Sequence, residues 1–315
     1  MRTVNDEIST LRHLASSSSE ISELGSDCWL FGGTGKKGVT GRDIDLLVLG
    51  LTHGNEVVGL PIIANIMKHL ISQKTKLNVC LCLGNIQAAV AGKRFIESDL
   101  NRSFGLKSAS NAEEARAIFI GQIMEKSTWA IDLHQTQTKT TRPFFISRFD
   151  QCSYNLMRML SDIQFVTYFT ASFSSEGMTT INYHLSKGGS GFGIELGTKG
   201  FCEEQITFGQ NIVENMLNKI STPIEVQFDV NKDERSLMVK QIVSAKSNYL
   251  LRTDLANMSK LEEGEFICTI ENNDVHTFDS CFVLFPKNGN KEPIRIEKVT
   301  EVVRLLQPVG LVTKS

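Results

Sequence analysis

The stretch Ile44-Asp-Leu-Leu-Val-Leu-Gly-Leu51 is apolar almost throughout rather than at alternate positions, the pattern of a strand buried on both faces. Directly after it the spacing changes. Ile62, Ile63, Ile66, Met67, Leu70 and Ile71 recur every three or four residues, which predicts an amphipathic helix whose first turn tolerates Pro61. The same alternation continues downstream. Buried strands are predicted at 76–83 and 128–133 with a helix at 111–126 between them. A strand at 143–147, a helix at 154–163, strands at 164–170 and 192–196, and a helix at 203–219 follow. Strand and helix in turn imply a largely parallel sheet covered by helices on both faces.

Beyond Pro223 the texture differs. Short apolar runs at 224–228, 237–243, 249–252, 265–270 and 281–285 are split by polar turns, which predicts a β-rich domain. The boundary falls at Ser221-Thr-Pro223, giving domains at 1–221 and 222–315. The expected fold class is therefore α/β, with a mixed, largely parallel sheet and helices on both faces, plus a smaller β-rich C-terminal domain.

Charge narrows the class of partner. With 33 Lys plus Arg against 35 Asp plus Glu, the net charge is -2 and the pI near 6.3, so no basic excess exists to hold a nucleic-acid backbone. The opening Met-Arg-Thr-Val-Asn-Asp-Glu lacks the apolar core of a signal peptide, and the longest apolar run, 46–51, is far too short for a membrane span. A cytoplasmic protein with no nucleic-acid or membrane partner is expected. Seven cysteines form an odd set without a Cys-x-x-Cys pair, which argues against a disulfide framework or a structural zinc knuckle. Buried thiols are expected instead, with Cys80 and Cys82 on one face of a strand. Gly32-Gly-Thr-Gly-Lys-Lys-Gly38 resembles a phosphate loop only superficially, because Leu30 stands where the first glycine is required; it reads as a hairpin turn.

Candidate chemistry begins with His53 and Glu56, three residues apart directly after the first buried strand, at the kind of strand end that opens onto a ligand crevice. An imidazole and a carboxylate there can converge on one cation, although such a pair alone is more often a surface hydrogen bond than a metal site. Ala130-Ile-Asp-Leu-His134 shifts the balance by delivering another histidine just past the end of another buried strand. Two His and one Glu make a catalytic rather than a structural zinc shell, since the fourth position stays open. Asp132 either holds the far nitrogen of His134 or bonds the local backbone. Glu195, in Gly191-Phe-Gly-Ile-Glu-Leu-Gly197, is an ionisable carboxylate in an apolar strand, costly without a task or a basic partner. Lys93, Arg94 and Arg102 supply cations suited to a substrate carboxylate or a developing oxyanion. The other histidines lack ligand spacing: His13 and His69 are expected at the surface, and His184 and His276 in loops. Phe144, Phe145 and the aromatic run 165–173 read as strand core.

His53-Gly-Asn-Glu56, Gly92-Lys-Arg94, Ser98-Asp-Leu-Asn-Arg-Ser-Phe104, Asp132-Leu-His134 and Ile194-Glu-Leu-Gly197 follow one another in the order and spacing of the succinylglutamate desuccinylase and aspartoacylase family. The chain resembles that family from about residue 45 to 200, and Val283-Leu-Phe-Pro286 looks more like the desuccinylase branch. The resemblance implies a zinc carboxypeptidase-like catalytic domain and a β-rich C-terminal domain that narrows access to the site. It further implies one Zn2+ per chain on His53, Glu56 and His134, with Glu195 as general base. Arg94 would polarise the scissile carbonyl, while Asn101 and Arg102 grip a substrate carboxylate. The implied reaction is hydrolysis of a small N-acyl amino acid, succinylglutamate foremost, as a step of arginine catabolism, with a homodimer as the implied assembly.

A metallocarboxypeptidase acting on small peptides would share this shell and base, but a second domain restricting the cleft favours smaller substrates. A non-catalytic binding protein would have no use for Glu195 beside a metal. One departure from the family stands out: the arginine usual ten residues before the catalytic glutamate is replaced by Leu185. Lys187 cannot reproduce a bidentate fork. Weaker handling of succinylglutamate than in ordinary desuccinylases is expected, in favour of a substrate with one fewer negative charge.

Overall fold

The computed structural model describes residues 2–32, 37–73, 75–168, 178–287 and 300–312. Up to residue 219 its elements are α1 (Val4–Ser16), β1 (Ile21–Gly25), β2 (Cys28–Phe31), β3 (Ile44–Gly50), α2 (Gly59–Ser72), β4 (Val79–Leu83), α3 (Ile86–Val90), α4 (Ala112–Glu125), β5 (Ser127–Thr136), β6 (Phe144–Arg148), α5 (Gln151–Leu160), β7 (Gln164–Tyr168), α6 (Thr180–Ser186), β8 (Ser190–Thr198) and α7 (Glu203–Lys219). Thereafter come β9 (Ser236–Ala245), β10 (Tyr249–Leu251), β11 (Lys260–Leu261), β12 (Phe266–Ile270), β13 (Asn273–His276), β14 (Cys281–Leu284), β15 (Thr300–Pro308) and α8 (Val309–Val312). Two compact units result. One comprises Met1–Gln135, Phe145–Asp162 and Phe169–Phe228, the other Thr136–Phe144, Ile163–Tyr168 and Asp229–Ser315. Two stretches from earlier in the chain thus belong with the C-terminal unit.

In the first unit the strand order is β1-β2-β4-β3-β5-β8-β6. β3 runs parallel to β4, with Leu46 opposite Val79, and to β5, with Gly50 opposite Leu133. β1 and β2 extend the sheet antiparallel. The chain leaves β3 for β4 on one side and later arrives at β5 on the other. The carboxyl ends of β3 and β5 therefore flank a topological switch point, where α/β sheets place their ligands. Every residue of β3 and β4 is buried, as the unbroken apolar runs predict. On one face, Leu47 and Leu49 pack with Ile120, Ile123 and Met124 of α4 and with Ile181 and Leu185 of α6. Elsewhere Ile63 of α2 abuts Gly50, and Gly209 of α7 faces Ile62 and Leu196.

In the second unit β7 runs parallel to β9, and β15, β14 and β11 continue antiparallel. β10, β12 and β13 form a separate antiparallel sheet. Val243, Leu251, Ile267, Val283 and Val303 belong to their common core, so this unit is β-rich as the pattern predicts.

Several local expectations need correcting. The polar N-terminus forms α1, capped by Thr3, but only Ile8 and Leu11 are buried, too few apolar positions to show a period. Residues 224–228 form no strand; instead Asn155 Oδ1 accepts from Phe228 N and Gln151 Nε2 donates to Phe228 O, each at 3.0 Å. Side chains of α5 thus replace a strand partner. Cys28 and Cys82 stand opposite each other across β2 and β4 and are joined by a disulfide, where thiols were expected; that pairing depends on strand register and leaves no mark in sequence spacing. Cys80, Cys268 and Cys281 are buried thiols. His184 belongs to α6 and is wholly buried, and His276 belongs to β13. Phe144, Phe145 and Phe165 are buried core. Residues 33–36 of the glycine-rich turn and 169–173 of the aromatic run lie outside the described residues. No helix among the described residues is long and apolar enough to cross a membrane.

Candidate metal centre

β3 ends in an abrupt turn. Leu51 adopts φ +59, a left-handed conformation that costs a bulky residue about 1–2 kcal/mol, and its carbonyl accepts from Asn85 N at 2.7 Å. Gly54 has a steric reason to be glycine, because a Cβ there would lie 2.3 Å from the carbonyl carbon of Ala88. Its N–H donates to Arg94 O at 2.9 Å. The main chain thus stitches the segment bearing His53 and Glu56 to the segment bearing Arg94.

The side chains then converge. His53 Nδ1 lies 2.8 Å from Glu56 Oε1, and His134 Nδ1 lies 2.9 Å from Glu56 Oε2. One ligand atom from each residue falls within 4.8 Å of the other two, and all three residues are buried. Of the two readings of Asp132, the structure selects the one that supports the histidine: Asp132 Oδ2 is 2.9 Å from His134 Nε2. Its carboxylate also accepts from the hydroxyls of Thr52 and Thr180. Both ring nitrogens of His134 thus face carboxylates, Nε2 toward Asp132 and Nδ1 toward Glu56; burial disfavours the charged imidazole, but Asp132 and Glu56, by charge and hydrogen bond, raise it well above its ordinary value. Such an arrangement calls for positive charge between nitrogen and carboxylate, carried by a proton or by a metal cation. His53 Nδ1 is likewise turned toward the Glu56 carboxylate in a buried setting. Two imidazole nitrogens and a carboxylate converging in this way form a donor set that fits a divalent metal.

Positive charge already presses on this cluster. Burial would push the Glu56 carboxyl up, yet His53 and His134, by charge and hydrogen bond, hold it well below the usual carboxylate range. Arg94 Nη1 donates to Glu56 Oε1 at 3.1 Å, and Nη2 lies 2.6 Å from His53 Nε2. His53 Nε2 also faces Asp99 Oδ1 at 3.2 Å. Burial opposes ionisation of Asp99 as well, but His53, Arg94 and Arg102 keep its carboxyl well below the ordinary value.

Glu195 comes from β8, the neighbour of β5. Its Oε2 is buried without a hydrogen-bond partner. Burial pushes this carboxyl up to about 7 against the pull of His134; Glu56 raises it further, while His53 and Arg94 lower it. A carboxylate poised near neutral pH suits proton transfer. Asn101 Oδ1 accepts from Thr180 N at 2.9 Å, leaving Nδ2 as the amide's donor, and Arg102 Nη1 donates to Asn101 O at 2.7 Å.

The remaining candidates stand apart. Lys93 is exposed, Leu185 lies in the core with α4, and Lys187 pairs with Glu125 at 2.7 Å. Asp99, within Ser98-Asp-Leu-Asn-Arg102, and Thr52 and Thr180 also meet the cluster, through His53 and Asp132. Nothing in the chain advertises Thr180, because its bond to Asp132 spans 48 positions.

The fold and this cluster define an α/β protein with a His-Glu-His cluster able to hold a metal at a sheet switch point. Residues 42–220 match the Succinylglutamate desuccinylase/Aspartoacylase catalytic domain, and the chain belongs to that family. It is 30% identical over 161 residues to a probable aspartoacylase from Nostoc sp., covering 48% of this chain and 54% of the relative. The match therefore spans about half the length of that protein. A succinylglutamate desuccinylase from Photorhabdus laumondii is 25% identical over 273 residues, 76% of this chain and 81% of the relative. Among solved structures, the succinylglutamate desuccinylase from Chromobacterium violaceum shares the fold with a TM-score of 0.69 at 17% identity, covering 95% of this chain and 97% of that one. Murine aminoacylase 3 does so with a TM-score of 0.62 at 16% identity, over 87% and 98% of the two chains.

Proposed function

We propose that the protein is a zinc-dependent amidohydrolase that removes the acyl group from an N-acyl amino acid, with succinylglutamate as the leading substrate. The observation that carries this reading is the placement of an unpartnered, buried Glu195 oxygen beside the charges of His53, Glu56 and His134. His53, Glu56 and His134 would hold the metal. When bound, zinc supplies Lewis acidity to the water and to the carbonyl oxygen.

The chain's own residues supply the rest. Glu195 takes a proton from the attacking water and returns it to the leaving nitrogen, yielding an acid and a free amino acid. Arg94 offers its guanidinium to the carbonyl oxygen as negative charge grows there. Asn101, through Nδ2, and Arg102 hold a substrate carboxylate. Asp132 and Asp99 keep the two imidazoles oriented. Since Leu185 lies in the core, the family's additional arginine has no counterpart at that position, which supports weaker handling of succinylglutamate than in ordinary desuccinylases. A cytoplasmic homodimer completes the proposal.

The test is a hydrolysis panel of succinylglutamate, succinylornithine, acetylaspartate, acetylglutamate and short peptides, run on zinc-loaded protein. Release of a free amino acid from at least one N-acyl amino acid is expected. Cleavage of the peptides alone would move the assignment to a carboxypeptidase.

A further inference from the structure

Gln135 follows the ligand His134 directly and is 2% exposed, yet no step of the reaction calls on its side chain. Its main-chain N–H donates to Glu56 Oε2 at 3.1 Å. The side chain turns to two other elements. Oε1 accepts from Val58 N at 3.2 Å, at the start of α2, a helix whose N-cap position carries no side-chain cap of its own. The same oxygen accepts from Gly200 N at 3.3 Å, while Nε2 donates to Thr198 O at 3.0 Å and Gly200 O at 2.8 Å, just where β8 ends. Gln205 Oε1 lies 2.6 Å from the same nitrogen.

One residue therefore touches all three segments that build the centre: β5 with His134, the β3–α2 turn with His53 and Glu56, and the exit of β8, three residues beyond Glu195. A glutamine suits this junction because it offers donors and an acceptor at one planar terminus. An aliphatic side chain of the same length would leave the buried N–H of Val58 without this acceptor and would remove the bonds to Gly200 N and Gly200 O, while Thr198 O would keep Gln205 Nε2 as a donor.

We propose that Gln135 is a positioning residue that sets Glu195 against the metal ligands by clamping the end of β8 to the start of α2. The clamp acts through geometry, since Gln135 has no acidic or basic group to offer. The proposal rests on the reading of Glu195 as the general base.

Gln135→Met keeps length and volume, and leaves the main-chain N–H to Glu56 in place. Hydrogen exchange, zinc affinity and turnover should be measured together on the full chain. The variant should exchange faster at 58–60 and 196–200 with the other strands of the first unit unchanged. It should bind zinc within about threefold of wild type, and lose 10- to 100-fold in kcat with KM within about twofold, the scale on which supporting contacts around a metal site act. In a Glu195→Gln background the further loss on adding Gln135→Met should vanish, which a general weakening of the fold would not produce. Unchanged exchange at both segments, an unchanged kcat, or an undiminished loss in the Glu195→Gln background each overturns the clamp. Should the wild type prove inert on every N-acyl amino acid, the functional reading falls, and exchange at the two segments still decides whether the clamp exists.

Discussion

At the scale of single residues, Asp132 and Glu195 are two buried carboxylates at the centre whose oxygens are met differently. Asp132 is fully satisfied by His134, Thr52 and Thr180, whereas one oxygen of Glu195 is buried and unmet. Glu195→Gln keeps the shape and removes the basic oxygen. We expect zinc content to stay at the wild-type level while kcat falls on the order of 100- to 10,000-fold; near-normal turnover would place the base elsewhere. Leu185 gives the opposite case. It is 8% exposed and packed with α4, so Leu185→Arg buries an unpaired charge at a cost of a few kcal/mol rather than rebuilding a carboxylate grip. Thermal denaturation should show the loss. A variant as stable as wild type and improved on succinylglutamate would mean that position 185 reaches the substrate.

At the scale of elements, α6 is pinned by its buried histidine. His184 Nδ1 and Nε2 each lie 3.2 Å from a carbonyl oxygen, Met124 O at the end of α4 and Thr128 O on β5. Gly189 leaves room for the ring, since a Cβ there would come 2.2 Å from His184 Nε2. Burial lowers the imidazole from its ordinary 6.5 to about 4, helped by Arg42 and opposed by the carbonyls. The folded state thus binds fewer protons than the unfolded chain between those values. Its contribution to stability is complete above pH 6.5 and is lost as pH falls toward 4, by about 3 kcal/mol over the window. Urea denaturation of wild type and His184→Gln across this range checks the point: the variant should lack that part of the decline. Parallel curves would show that His184 does not titrate with folding.

At the scale of the whole molecule, the centre draws on the turn after β3, on the end of β5 and on β8. A metal bound there favours the folded state over the unfolded one. Zinc at about 1,000 times its dissociation constant should stabilise the protein by roughly 4 kcal/mol. Calorimetry with zinc and after chelation should show a rise of several degrees in Tm, and His134→Ala should abolish both the bound metal and that rise. A chelator-insensitive Tm in the wild type would remove the metal from the proposal.

What the sequence determined by itself was local or periodic. The unbroken apolar runs of β3 and β4, the three- and four-residue spacing of α2 and the order of strands and helices follow from burial on two faces or one. His53, Glu56, His134 and Glu195 were legible because each stands at or in a buried strand where a polar group is conspicuous. What only the tertiary structure decided depends on register and on contacts across long separations. Those contacts made Asp132 a support for His134, placed Leu185 in the core, joined Cys28 to Cys82, and moved His184 from an expected loop into a buried helix. They also gave Gln135 its partners, 63 to 77 positions away in sequence. A chain pattern reports which residues are buried, and only the packed sheet settles which of them meet.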